Sequence, residues 1–328
     1  MSTLIPEANE AAASSEESET IGSDDAYVAL LARLSRQSVD KHFDAYADVP
    51  WDDPEYRIDP DDPRWEVGLD DPITATDWYR SLSPEQRARL GLDLVVTKMK
   101  LGLQFESVLK RGLLEYALEL PNRDPQFRYA YHEVIEEAHH SLMFQEFVNR
   151  SGFDVQGMRP GELAVARTIV GLGRRFPALF FFFVLGGEDP IDHVQRKSLR
   201  SGQPIHPLLE RIMRIHVTEE ARHLSFARHY LKHRVPELSP VRRAALGVAA
   251  PLILFGMAQM MLIPSRQVIE RNGIPREVVR EAYLRNPAHR QEVVSSLRKV
   301  RQLAEEVGIL GPLHRRLWKA LGLWPAQP

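Results

Sequence analysis

Residues 133–148 read Glu-Val-Ile-Glu-Glu-Ala-His-His-Ser-Leu-Met-Phe-Gln-Glu-Phe-Val, and residues 216–231 read His-Val-Thr-Glu-Glu-Ala-Arg-His-Leu-Ser-Phe-Ala-Arg-His-Tyr-Leu. Both carry Glu-Glu-Ala-x-His within a helical periodicity of apolar residues. With Glu137 at zero and about 100° per residue, His140 falls at about 300°, Phe144 at about 340° and Val148 at about 20°, so Glu137 and His140 share the apolar face. The neighbouring register, Glu136 and His139, falls with Arg128, Glu146 and Arg150 on the face expected to meet water, with a supporting role near the site as the most either would have. The second segment places Glu220, His223 and His216 on a stripe with Leu209, Ala227, Tyr230 and Leu231, and puts Arg222 and Lys232 on the other side.

Ionised carboxylates and imidazoles on buried stripes are costly unless a cation compensates them, so two such stripes point to two metal ions. Helix bundles that hold a carboxylate-bridged metal pair draw Glu-x-x-His from two helices and one more carboxylate from each of the other two. Glu106 lies 31 residues before Glu137, on a stripe with Met99, Leu109 and Leu113. Glu188 lies 32 residues before Glu220, on a stripe with Phe181, Val184 and Ile191. Four carboxylates balance two ferrous ions. Carboxylate with imidazole suits iron, or manganese in one or both positions, whereas structural zinc favours four ligands with thiolates. His216, one turn before Glu220, adds a third imidazole.

The rest of the 328 residues fits this frame. The absence of cysteine excludes disulfides, thiolate zinc sites, iron–sulfur clusters and cysteine nucleophiles. A net charge of −3 provides no global field for nucleic acid or an anionic membrane. Residues 1–25, rich in Glu, Ala and Ser, read as a disordered acidic tail without secretory-signal features, and 26–328 as one all-α domain. An amphipathic segment at 26–43 precedes a long Asp/Pro loop at 48–75. Ser83-Pro84-Glu85-Gln86 opens a helix to about Leu120, and Asp124-Pro125 opens the next, to Ser151-Gly152. Further helices are expected at 161–185, 189–200, 206–233 and 240–271, with shorter basic ones closing the chain. Gly186, Gly187 and Pro190 predict a helix irregularity around Glu188. Ala244–Ile263 is long enough to span a bilayer, but Gly247, Pro251, Gly256 and Gln259 favour a helix buried on all sides. The chain reads as cytoplasmic.

The pattern Glu106, Glu137-x-x-His140, Glu188, His216-x-x-x-Glu220-x-x-His223 resembles the p-aminobenzoate N-oxygenase (AurF-type) di-iron proteins of the ferritin-like superfamily, over roughly Ser83 to Gly311. The resemblance implies a ferritin-like bundle with additional N- and C-terminal helices, and those seven residues as ligands of two iron ions. It implies a monooxygenase that uses O2 to carry an arylamine nitrogen to hydroxylamine, nitroso or nitro products, and a homodimer. Where the family's arylamine oxygenase carries a C-terminal arginine toward the substrate carboxylate, this chain has Glu292, with Arg298 and Arg301 nearby.

No flavin or nicotinamide motif is evident, so an external reductase or ferredoxin is expected to supply electrons. Other readings are oxidation of carbon at the same centre, iron handling without an organic substrate, and a helical interaction protein. Glu133, on the Glu137 stripe, is expected to form a surface ion pair, although a partnership with the ligands is the alternative. Tyr129, Tyr131, Tyr230 and Phe180 to Phe183 are expected in the core.

Overall fold

The computed structural model describes residues 24–325, so residues 1–23 of the expected tail lie outside the described residues. Asp24 and Asp25 are already helical, as the first turn of α1 (Asp24–Asp40). The Asp/Pro-rich connection then forms three short 3-10 turns, each begun by an aspartate that accepts the amide two residues on and followed by proline: Asp53-Pro54, Asp62-Pro63 and Asp71-Pro72. Proline pre-sets the first helical φ where no amide donor is required. After α2 (Asp77–Ser81), the long α3 (Pro84–Leu118) starts at Ser83 with the expected reciprocal Ser83–Gln86 cap.

Helix α4 (Pro125–Ser151) ends at Gly152 in the left-handed conformation. It is followed by α5 (Pro160–Arg175), α6 (Pro177–Arg200), α7 (Pro207–Arg234) and α8 (Pro240–Leu262). Shorter helices α9 (Arg266–Arg271), α10 (Arg276–Val279), α11 (Pro287–Ser296), α12 (Arg298–Glu306) and α13 (Pro312–Ala320) complete the described chain. It is all-α, with no strand among the described residues. Helices α3 and α4 pair, α6 pairs with α7, and α5 and α8 lie against α3 and α6, forming the ferritin-like bundle.

The break expected between 185 and 189 falls instead at Phe176–Pro177, and α6 runs unbroken through Gly186, Gly187 and Pro190. Tertiary contact explains the glycines: a Cβ on Gly187 would lie 2.2 Å from the Phe105 ring, and one on Gly186 would lie 2.8 Å from Leu254. They allow close helix approach and do not interrupt the helix. The segment expected as one helix over 240–271 divides at Ile263–Ser265, where Pro264 cannot donate to the preceding turn.

Helix α8 is long and apolar enough to cross a membrane, as part of an apolar span at Pro240–Arg271. The expectation that it is buried on all sides holds for one face only. Leu246, Ala250 and Leu254 are fully buried, while Val248, Leu252 and Phe255 are exposed. Phe180 to Phe183 are buried around α6 as core residues, with Phe181 against Tyr116, Phe226 and Tyr230. Tyr129 is buried too, whereas Tyr131 stands exposed beside Phe127.

Candidate metal centre

Glu106 comes from α3, Glu137 and His140 from α4, Glu188 from α6, and His216, Glu220 and His223 from α7. All seven are buried, none more than 3% exposed. Ligand atoms of Glu106, His140, His216 and Glu220 lie within 4.8 Å of one another, and those of Glu137, Glu220 and His223 form a second such group sharing Glu220. Glu188 belongs to neither group. It is 3% exposed, neither of its oxygens has a hydrogen-bond partner, and burial followed by repulsion from Glu220 and Glu137 pushes its pKa well up.

The imidazoles face inward by one nitrogen. His140 Nδ1 is 3.3 Å from Glu137 Oε2 and 3.7 Å from Glu220 Oε1. His223 Nδ1 is 2.8 Å from Glu137 Oε1 and 3.4 Å from Glu220 Oε1. His216 Nε2 lies 3.7 Å from Glu106 Oε1 and 3.5 Å from Glu220 Oε1. The outward nitrogens of His140 and His223 are held crosswise: His140 Nε2 donates to Glu219 Oε2 at 2.9 Å, and His223 Nε2 donates to Glu136 Oε2 at 2.8 Å. Each carboxylate just before a candidate ligand on one helix thus orients the histidine of the other. Arg222 lies between them, 2.9 Å from Glu136 and 3.6 Å from Glu219.

This corrects the expectation that Glu136 and Arg222 face water, since they are 2% and 6% exposed. The helical-wheel reading allowed each helix one buried face, but α1 and the chain after it cover the other face of α4 and α7. The Phe43 amide donates to Glu219 Oε1 at 3.0 Å, and the Ala45 amide to His139 Nδ1 at 3.2 Å. Glu133 is corrected likewise: it is wholly buried and makes no surface ion pair. Glu219 was missed. Its signal was available, because it precedes Glu220 as Glu136 precedes Glu137.

The electrostatics favour a cation. Burial opposes charge on His140 and His223, yet the carboxylates prevail, raising His140 to about 10 and His223 well above its usual value. Burial would raise Glu136, but His223 and Arg222 hold it down at about 2. His216 goes the other way, lowered by burial, which leaves a neutral imidazole. Glu106 Oε2 and both Glu220 oxygens also lack hydrogen-bond partners. Buried carboxylates with unused lone pairs beside inward imidazoles fit a pair of metal ions.

A cavity of ≈ 330 Å³ ends on Glu106, Glu188 and His216. Its inner wall is apolar, with Met99, Phe105, Phe144 and Met213, and it reaches exposed residues at Asp70, Lys98 and Ser201. Near the rim, Glu292 accepts from His193 at 3.1 Å and from Lys197 at 3.2 Å.

A helix bundle presenting paired Glu-x-x-His motifs to a buried carboxylate cluster is the architecture of the carboxylate-bridged dimetal proteins. This chain belongs to the P-aminobenzoate N-oxygenase AurF family, which it matches over residues 24–308. It is 39% identical over 300 residues to the uncharacterized proteins Mb0909 of Mycobacterium bovis and Rv0885 of Mycobacterium tuberculosis, in each case covering 91% of this chain and 88% of the relative. No solved structure matches it.

The crosswise carboxylates carry a prediction. Glu219→Gln replaces an acceptor-only group with an amide, loosening His140, and is expected to weaken metal affinity by about 10–100-fold. Manganese titration of the wild type and the variant measures this, and equal affinities would show that Glu219 does not support the centre.

Proposed function

We propose that the chain is a non-haem di-iron monooxygenase that N-oxygenates a small arylamine to hydroxylamine, nitroso or nitro products. Glu106, Glu137, His140, Glu188, His216, Glu220 and His223 would hold the two irons. The observation that carries this reading is the convergence of buried, under-bonded carboxylates and imidazoles at the closed end of an apolar cavity, in a chain of this family.

Iron, when bound, supplies the reduction of O2 and delivery of an oxygen atom to the amine nitrogen. The chain's own residues do the rest. Glu219 and Glu136 hold the Nε2–H of His140 and His223, which turns Nδ1 of each ring inward as the nitrogen that would meet a metal ion. Met99, Phe105, Phe144 and Met213 exclude water and accept an aromatic ring, so the amine enters without its hydration shell. Carrying the amine to the hydroxylamine takes two electrons and two protons besides O2, the second oxygen atom leaving as water, and an external reductase or ferredoxin would supply those electrons.

The test is to reduce the iron-loaded protein without oxygen, then admit ¹⁸O2 with a panel of arylamines and their amine-free analogues. Label on nitrogen is the expected result. Label on ring carbon would replace N-oxygenation with hydroxylation, and O2 consumption indifferent to every substrate would remove the arylamine.

A further inference from the structure

Glu133 lies one turn before Glu137 on the same buried stripe of α4, and the proposed ligand set does not use it. It is 0% exposed, and neither carboxylate oxygen has a hydrogen-bond partner. On that stripe it lies between Glu137, whose Oε1 is 2.8 Å from His223 Nδ1, and Tyr129, whose ring centroid is 4.7 Å from that of Phe226, so it belongs to the His223 end of the cluster.

Charge balance isolates this residue. Four ligand carboxylates balance two divalent ions. Glu136 and Glu219 have Arg222 between them and an imidazole N–H each. Glu133 has neither an arginine nor an imidazole N–H on its oxygens. An ionised carboxylate without one is among the most expensive groups to bury, and burial pushes its pKa up to about 8. Protonation alone does not satisfy it, because its O–H finds no acceptor and the Tyr129 hydroxyl, one turn earlier, is also without a partner. A metal ion beside His223 would provide the missing partner.

We propose that Glu133 is a further metal ligand of the centre, binding on the side of His223 and Glu220. The inference rests on the dimetal reading above, and the experiment separates the two.

Manganese(II) is titrated into the full-length metal-free wild type and into Glu133→Gln, with stoichiometry and affinity read by calorimetry and by the loss of the free-ion paramagnetic resonance signal. The wild type is expected to bind two ions per chain. The Gln variant keeps the shape but removes the charge, and is expected to bind one of the two at least tenfold more weakly. The metal-free variant should melt close to the metal-free wild type, because Gln keeps the shape of the carboxyl, yet gain less on adding manganese. Two ions bound to the variant with unchanged affinity would overturn the role of Glu133 alone. No manganese bound by the folded wild type would overturn the dimetal reading, and this inference with it.

Should the Gln variant fail to fold, a crystal structure of manganese-soaked wild type decides. A Glu133 oxygen at a metal–oxygen bond length of roughly 2.0–2.2 Å supports the assignment. A Glu133 turned to the Tyr129 hydroxyl, away from both ions, overturns it.

Discussion

Replacing Glu137 with alanine is expected to reduce bound iron from about two ions per chain to less than one, and to abolish oxygenation. Glu137 touches both halves of the cluster, with one oxygen 3.3 Å from His140 Nδ1 and the other 2.8 Å from His223 Nδ1. The truncation leaves the backbone intact, so Lys110 Nζ still donates to the residue-137 carbonyl, as it does at 2.9 Å now. The defect should therefore be confined to ion binding. Iron at about 100 times its dissociation constant should stabilise the wild type by about 2.7 kcal/mol, and this increment should disappear in the variant. Elemental analysis beside thermal melts with and without iron measures both quantities. An alanine variant that retains two irons would remove Glu137 from the ligand set.

The second large effect concerns the scaffold. Gly173 on α5 crosses α3 so closely that a Cβ there would lie 2.0 Å from the Gly112 carbonyl oxygen. Both sides of that contact are backbone, so no side chain can swing away. Overpacking into a well-filled core costs about 1–3 kcal/mol, and Gly173→Ala is expected at or above the upper end because two helices must separate. Gly171→Ala is the control: its Cβ would meet only Arg175 Nη1 at 3.7 Å. Alanine there should stabilise the helix by about 0.5–1 kcal/mol. Denaturant melts of the two variants compare the effects. Equal stabilities would mean that α5 can move off α3 without cost.

The sequence made one side of the centre legible and concealed the other. Glu137, His140, Glu220 and His223 could be found because a buried charged residue stands out against Phe144, Val148, Ala227 and Leu231 on its own helix. Glu136, Glu219 and Arg222 share the opposite face with residues that do reach solvent, such as Ile135. Their burial depends on α1 and the chain just after it, roughly a hundred residues before Glu136 and roughly 180 before Glu219 and Arg222, and no single-helix periodicity records that cover. The helix boundaries follow the same division. Ser83 and Asp124 act locally and were readable, whereas Pro264, equally local, was passed over because the apolar pattern continues across it. Gly186 and Gly187 suggested a break because their purpose, admitting Leu254 and Phe105, lies in other helices.

The sharing of Glu220 has a consequence for how the protein matures. Both candidate ion groups require this residue, and it lies two-thirds of the way along the chain. A ribosome delivers α1, α3 and α4 long before it delivers α7, and the N-terminal helices begin to associate first. During that interval Glu106, Glu137 and His140 are present without the carboxylate that joins the two positions. Neither position can be completed during the first two-thirds of synthesis, and both become available together when α7 docks. On the proposed ligand set, metal uptake is therefore a late step in biogenesis, timed by translation of α7.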